Sequence, residues 1–228
     1  MMPTGWEVFA PLSNWLAAET PVLPALSVLR WAQPLFWGVV MAAGAARLLA
    51  GRSPLVRRLA MACAVVWAFL PGSVSPTWWL GLGFQLPSWV TLLLCGAYVV
   101  GSWHQATPRQ GPAAAPASGL DWLAVLGLLL GALLLADMFV WLPFSFYRWG
   151  FSSLAFGMVL AIVVWIWVLA KQAQRQREAL WVIGALALYT LTRLPTGNVF
   201  DALIDPWLWL VLMGACVRRV WRAARSKW

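Results

Sequence analysis

Seven carboxylates in 228 residues leave few places for acid–base or charge-binding chemistry, and their positions narrow it further. Asp137 is the one acid inside a long apolar run, about a turn from its end. A carboxylate at such a depth needs a partner or water, and it is a functional candidate by default. The cations available to it are Arg148 and Arg193, and Glu19 with Arg30 forms the equivalent pair earlier in the chain. The spacing predicts Asp137 close to Arg148 or Arg193, and Glu19 beside Arg30, because an unpaired charge near hydrocarbon is costly. Such acid–arginine groups could hold a charged substrate, or serve as salt bridges at a membrane interface. Asp201 and Asp205 flank the start of the last apolar run, where Asp205-Pro206 reads as a helix N-cap followed by proline at the first helical position.

Catalytic patterns are scarcely represented. The chain holds no Gly-x-Ser-x-Gly elbow, no His-Glu-x-x-His and no phosphate-cradling glycine loop. Its sole histidine, His104, has no second ligand nearby, and Cys63, Cys95 and Cys216 lie in apolar runs without a Cys-x-x-Cys spacing. No catalytic residue, metal or cofactor is expected. Two short apolar runs do end at paired breakers, 59–70 at Pro71-Gly72 and 179–193 at Pro195-Thr196-Gly197. Interrupted helices at corresponding places in two halves are a pointer to a transporter's substrate site, since freed carbonyls and helix ends can line a cavity. Alternatively, they end where outer loops begin.

The elements that must position these residues follow from charge placement. Thirteen of the 16 basic residues fall in four clusters: Arg47/Arg52/Arg57/Arg58, Arg109, Lys171/Arg175/Arg177 and Arg218/Arg219/Arg222/Arg225/Lys227. Long apolar runs separate them, and five of the seven acids lie between. Lys and Arg flanking apolar spans are retained on the cytoplasmic side. The expected fold is therefore an all-α polytopic membrane helix bundle of about seven transmembrane helices. Its spans are about 28–49, 59–70, 88–103, 120–141, 152–170, 179–193 and 206–217. The dozen residues of 59–70 cover only about 18 Å, so this run must borrow from Leu55–Arg58 or continue, kinked, into Trp78–Leu86.

The chain divides into an N-terminal interfacial segment 1–27, a first three-helix unit 28–103, a cytoplasmic linker 104–118, a central transmembrane helix 119–141, and a second three-helix unit with a basic tail, 142–228. Inward orientation of the clusters puts the N-terminus outside and the C-terminus in the cytoplasm, in a bacterial-type inner membrane. The N-terminus lacks the basic region and continuous apolar stretch of a signal peptide, so the spans themselves would direct insertion.

Composition agrees. The chain is 62% hydrophobic with a mean hydropathy of +0.77, above what a soluble core requires. Many of its 19 tryptophans stand at span ends, where an amphipathic ring suits the headgroup region. The net charge of +9 sits in short loops beside apolar spans, which reads as contact with anionic lipids at the cytoplasmic face and not as nucleic-acid binding.

The halves resemble each other at an offset of 118 residues: Arg30-Trp31 matches Arg148-Trp149, Arg57 matches Arg175, Trp89 matches Trp207 and Trp103 matches Trp221. Three spans, a single inverting span and three more resemble the 3+1+3 plan of small sugar carriers of the SWEET type, in plan alone, since their Pro-Gln signature is missing. Microbial rhodopsins also have seven spans, but span seven here has no lysine for a retinal Schiff base. In Leu120–Trp141, Gly127 and Gly131 stand four apart, a spacing that permits close helix contact. The expected role is a small transporter-like membrane protein. The alternatives are a non-catalytic subunit of a larger membrane complex, with protein partners or as a homodimer, or a lipid- or glycan-processing enzyme.

Overall fold

The computed structural model describes residues 22–104 and 122–225, among which the secondary structure is helical without strands. The helices are α1 (Leu26–Leu48), α2 (Pro54–Ala68), α3 (Pro76–Gly83), α4 (Trp89–His104), α5 (Trp122–Met138), α6 (Phe146–Trp149), α7 (Ser153–Leu169), α8 (Ala173–Thr192), α9 (Val199–Leu203) and α10 (Pro206–Arg225). A 3-10 turn, Gly72–Val74, lies between α2 and α3. The interfacial segment 1–27 and the linker 104–118 fall outside the described residues except for 22–27 and His104.

Proline and short polar side chains set the starts. Proline opens α2, α3 and α10, where its missing N–H has no helical partner to lose. Ser53, Ser75, Ser152, Asn198 and Asp205 each accept a hydrogen bond from an amide two or three residues on. Helix α2 takes in Leu55–Arg58, as its length demanded, and 59–86 resolves into two helices, not one kinked span. Helix α8 begins at Ala173, ahead of the expected 179, because its Gln, Arg and Glu residues are good helix formers. Helix α10 likewise runs to Arg225, well past 217.

Helix α1 packs along α2 and α4, and α7 packs along α8. Alanine and glycine let α1 and α2 approach closely: Ala42 and Ala46 are buried with Met61, and a methyl at Gly38 would stand 3.3 Å from the Ala68 Cβ. The main core forms where α1, α4, α7, α8 and α9 converge, around Phe36, Trp89, Leu186, Tyr189 and Phe200. Phe36 and Trp89 meet edge to face at 4.7 Å. Helix α5 packs against α10, and here the Gly127/Gly131 spacing does what it predicts. The Trp209 ring covers Gly131, its indole N–H donates to the Leu128 carbonyl at 3.1 Å, and a methyl at Gly127 would stand 3.1 Å from Leu212.

At the opposite end of the α2–α4 pair, Arg57 is buried (1% exposed), not spread on a headgroup surface. It donates to the Ser102 carbonyl at 3.0 Å, and Arg58 donates to the Trp103 carbonyl at 2.8 Å. The last carbonyls of a helix have no intrahelical donors and carry partial negative charge, so two guanidinium groups satisfy the end of α4. Among the described residues no helix is long and apolar enough to cross a membrane.

Candidate functional site

The acids gather where α5, α6, α9 and α10 meet the breaks in the chain. Asp137 lies in the last turn of α5, after which Val140 adopts a left-handed φ of 57° and the chain doubles back to α6. The N-cap of α6, Ser145, makes no capping bond to its own helix. Asp137 supplies one instead, accepting from the Tyr147 amide at 2.7 Å and from Ser145 Oγ at 3.5 Å. The expected ion pair with Arg148 or Arg193 is not formed among the described residues: a backbone amide and a hydroxyl meet the carboxylate. Arg148 is exposed on α6, and the Arg193 guanidinium lies 5.6 Å from the centre of the Tyr189 ring. Glu19 lies outside the described residues, so its partnership with Arg30 does too; Arg30 itself is exposed on α1.

Tyr147 joins two acids. Its amide meets Asp137, its hydroxyl donates to Asp201 Oδ2 at 2.6 Å, and its carbonyl accepts from Asn198 Nδ2 at 2.8 Å. Thr196 Oγ1 also donates to Asp201 Oδ2, at 2.5 Å. Asn198 is fully buried, and its Oδ1 accepts from the Phe200 amide at 2.8 Å while Gly150 packs against the same side chain. Burial pushes the Asp201 carboxyl above its ordinary value, opposed by the hydrogen bonds from Thr196 and Tyr147. The Tyr147 hydroxyl is also raised, first by burial and then by the neighbouring Asp201.

The break before this knot is built into it. Arg193 caps α8 in a left-handed conformation with φ 58°, Leu194-Pro195 is a cis peptide, and Gly197 has φ 82°. Tyr189 donates its hydroxyl to the Gly197 carbonyl at 2.6 Å, and the Gly197 amide donates to the Arg193 carbonyl at 2.7 Å. Pro195 and Gly197 are buried, whereas Pro71 and Gly72 in the first half are exposed.

Asp205 forms a second tie. Its Oδ1 accepts from the Leu208 amide at 2.8 Å, confirming the N-cap expected from Asp205-Pro206. Its Oδ2 reaches the start of α4, accepting from the Ser88 amide at 2.8 Å and from Thr91 Oγ1 at 2.5 Å, while Ser88 Oγ donates to Thr91 at 3.0 Å. One buried carboxylate therefore caps two helices whose starts are more than a hundred residues apart in the chain.

The structure thus brings Asp137 and Asp201 together through Tyr147, sets Asp205 in its own tie, and leaves Arg30, Arg148, Pro71 and Gly72 apart from both. Tyr147, Thr196, Asn198, Ser88 and Thr91 escape a search for charges. Their signal in the sequence is slight: a polar Thr196-Gly197-Asn198 run in an apolar chain, and the Ser88-x-x-Thr91 spacing of a helix start. The acids here face hydroxyls and amides, and these hydrogen bonds tie helix ends together. No group of three or more His, Cys, Asp or Glu that could hold a metal occurs among the described residues. Comparison with known protein families, with characterised proteins and with solved structures finds no match.

Proposed function

We propose that this chain is a multi-pass protein of the inner membrane that acts without a catalytic centre, as a subunit or docking component of a membrane assembly. The observation that carries this reading is α7. Its 17 residues include no charged side chain, yet only Ala155 and Val163 are buried. Leu154, Ile162, Trp165 and Val168 stand between 49% and 67% exposed. A helix apolar all round is stable only when covered, and water cannot be the cover. Helix α5, also of 17 residues, has no buried residue at all. At about 1.5 Å per residue such helices reach about 25 Å, short of a hydrocarbon thickness of about 30 Å. Local thinning, snorkelling of flanking residues or association with other helices accommodates short spans, and association is the course favoured here.

The polar positions favour assembly over catalysis, because Asp137, Asp201 and Asp205 tie helix ends together. Transport by a small carrier is the second reading. It is favoured by the buried break 193–198, with its Asp201 and Asn198, standing where the 3+1+3 repeat has its second broken helix.

Two measurements test this. Alkaline carbonate washing should leave the protein in the membrane fraction, and release would overturn the membrane reading. Cysteines placed at exposed Ser53 and Gln174 should label only from the cytoplasm, and one at exposed Ser73 only from outside; any reversal breaks the topology. Purification in mild detergent should then yield stoichiometric partner proteins. A lone monomer or homodimer would turn the choice to transport.

A further inference from the structure

A groove of about 400 Å³ opens along α1, lined by Val28, Trp31, Leu35 and Phe36 of that helix with Trp89 and Leu194 across it. Its lining extends from Ser27 to Phe36, about 14 Å at about 1.5 Å per residue. The walls are apolar and uncovered among the described residues: Trp31 is 73% exposed and Leu35 49%.

The chain itself arrives at this slot. Val22 packs against the core cluster that contains Phe36, Trp89 and Leu194, three of the slot's walls. Its carbonyl stands close to Gly197, where a methyl would lie 2.6 Å from the oxygen. Ser27, at the end of the lining, is five residues on, so the sequence preceding Val22 starts no more than about 17 Å from the slot.

That sequence has the composition to fill it. Residues 11–20, PLSNWLAAET, begin with a proline, suited to the first position of a helix. Pro21 and Pro24 follow, and they stop a helix and turn the chain before α1. At helical spacing Leu12, Trp15, Leu16 and Glu19 share one face, and Asn14 falls on the other. Ten residues at about 1.5 Å each give about 15 Å, the length of the slot. Turned back by the prolines, such a helix runs antiparallel to α1, with Leu12 towards Leu35 and Glu19 at the start of α1. That start lacks an acceptor of its own: its N-cap is Ala25, which has no side-chain oxygen, and its first turn holds no acid. Free amides and the positive end of the helix favour a carboxylate there. Asp137 and Asp205 each cap a distant helix in this way.

We propose that residues 11–20 seat in this groove as a helix antiparallel to α1, with Leu12, Trp15 and Leu16 on the slot walls and Glu19 at the start of α1. The groove is then a seat for the chain's own preceding segment. The proposal goes beyond the membrane reading above and stands without it.

The test is disulfide trapping in the full chain, in mild detergent, with Cys63, Cys95 and Cys216 replaced by alanine. A disulfide needs Cα atoms within about 7 Å, which facing positions of two closely packed helices reach and opposite faces do not. Leu12→Cys with Leu35→Cys should close within one chain at least about tenfold faster than Asn14→Cys with Leu35→Cys. Equal rates, no closure, or a bond formed mainly between two chains overturns the proposal; the last would mean that a second copy occupies the groove. Hydrogen exchange gives a measurement without cysteine substitutions. Leu35→Trp places a larger ring in the slot from a half-exposed position, so amides 12–20 should exchange about tenfold faster than in the unaltered chain while those of α1 and α8 stay protected. Unchanged exchange would mean that the segment lies elsewhere, as on a lipid surface, and overturns the proposal too.

Discussion

After α2 the chain turns through Pro71 and Gly72 at the surface, and after α8 it turns through Pro195 and Gly197 in the interior. Both breaks begin with Leu-Pro and both use a glycine with positive φ, 65° at Gly72 and 82° at Gly197. The first is closed by its own neighbours: Ser75 and Thr77 both donate to the Ala68 carbonyl, at 2.9 and 3.0 Å, and so satisfy the end of α2. The second is closed by distant elements, with Tyr147 from α6, Gly150 beyond it and Val22 ahead of α1 all in contact. Similar breakers in sequence therefore do different work. One finishes a helix, and the other joins four parts of the fold.

The two glycines give the largest expected contrast. A methyl at Gly197 would stand 2.6 Å from the Val22 carbonyl oxygen, whereas one at Gly72 would meet nothing within 4 Å. Gly197→Ala should therefore cost about 4 kcal/mol, combining left-handed strain with overpacking against backbone. Gly72→Ala should cost only about 1 kcal/mol, the strain alone. Thermal unfolding in mild detergent measures both. Equal losses would mean that the second break is no more embedded than the first.

Asp205→Ala comes next. It would strip acceptors from the Ser88 amide, the Leu208 amide and the Thr91 hydroxyl, for a loss of about 3 kcal/mol. Ser75→Ala, the corresponding deletion at the first break, should cost about 1 kcal/mol, because Thr77 still donates to the Ala68 carbonyl. A Ser75 variant as damaged as the Asp205 variant would erase the distinction between a local cap and a long-range tie.

How far these ties were legible differs along the same line. The helix start at Asp205-Pro206 could be read closely, since capping is local and its residues are adjacent in sequence. The basic stretches, by contrast, misplaced the start of α8 and the end of α10, which run through them. Gly127 and Gly131 announced a close helix contact, though not that α10 would make it, because four-residue spacing puts both on one face. The partners of Asp137 could not be read. A charge search looks for opposite charge, while the donor that meets Asp137 is the amide of Tyr147, a group every residue but proline carries. The burial of Arg57 was not legible either: its contact with the Ser102 carbonyl depends on how α2 packs on α4, which local sequence does not encode.

Asp201 adds a pH dependence to the second break. Burial raises its pKa above the ordinary 3.8, so between that value and the native one the folded protein binds more protons than the unfolded chain. Its contribution is fullest in acid and declines as pH rises through this window. Asp201→Asn should remove that decline while keeping a side chain able to accept from Tyr147 and Thr196, with stability near pH 7 within about 1 kcal/mol of the original. The difference between the two proteins across pH isolates Asp201 from other carboxylates. A difference that grows in the opposite sense would mean that the two hydroxyl donors outweigh burial.

The smallest effect concerns helix glycines away from both breaks. Gly96 in α4 and Gly214 in α10 match at the 118-residue offset, and a methyl at either meets nothing within 4 Å. Alanine there removes backbone freedom from the unfolded chain without a clash, so each substitution should stabilise by about 0.5–1 kcal/mol. Gly131→Ala is the counter-case: the Trp209 ring must move, and its hydrogen bond to the Leu128 carbonyl goes with it, for a loss of about 1–3 kcal/mol. Opposite signs at Gly214 and Gly131 would show that α10 is held to the bundle along a single face, the one carrying Trp209. The same sign at both would mean that its other face is also covered, which the exposed Leu210, Val211 and Val217 argue against in the isolated chain. Measured in cells, loss of the Gly214→Ala gain would then point to a neighbour seated on that second face.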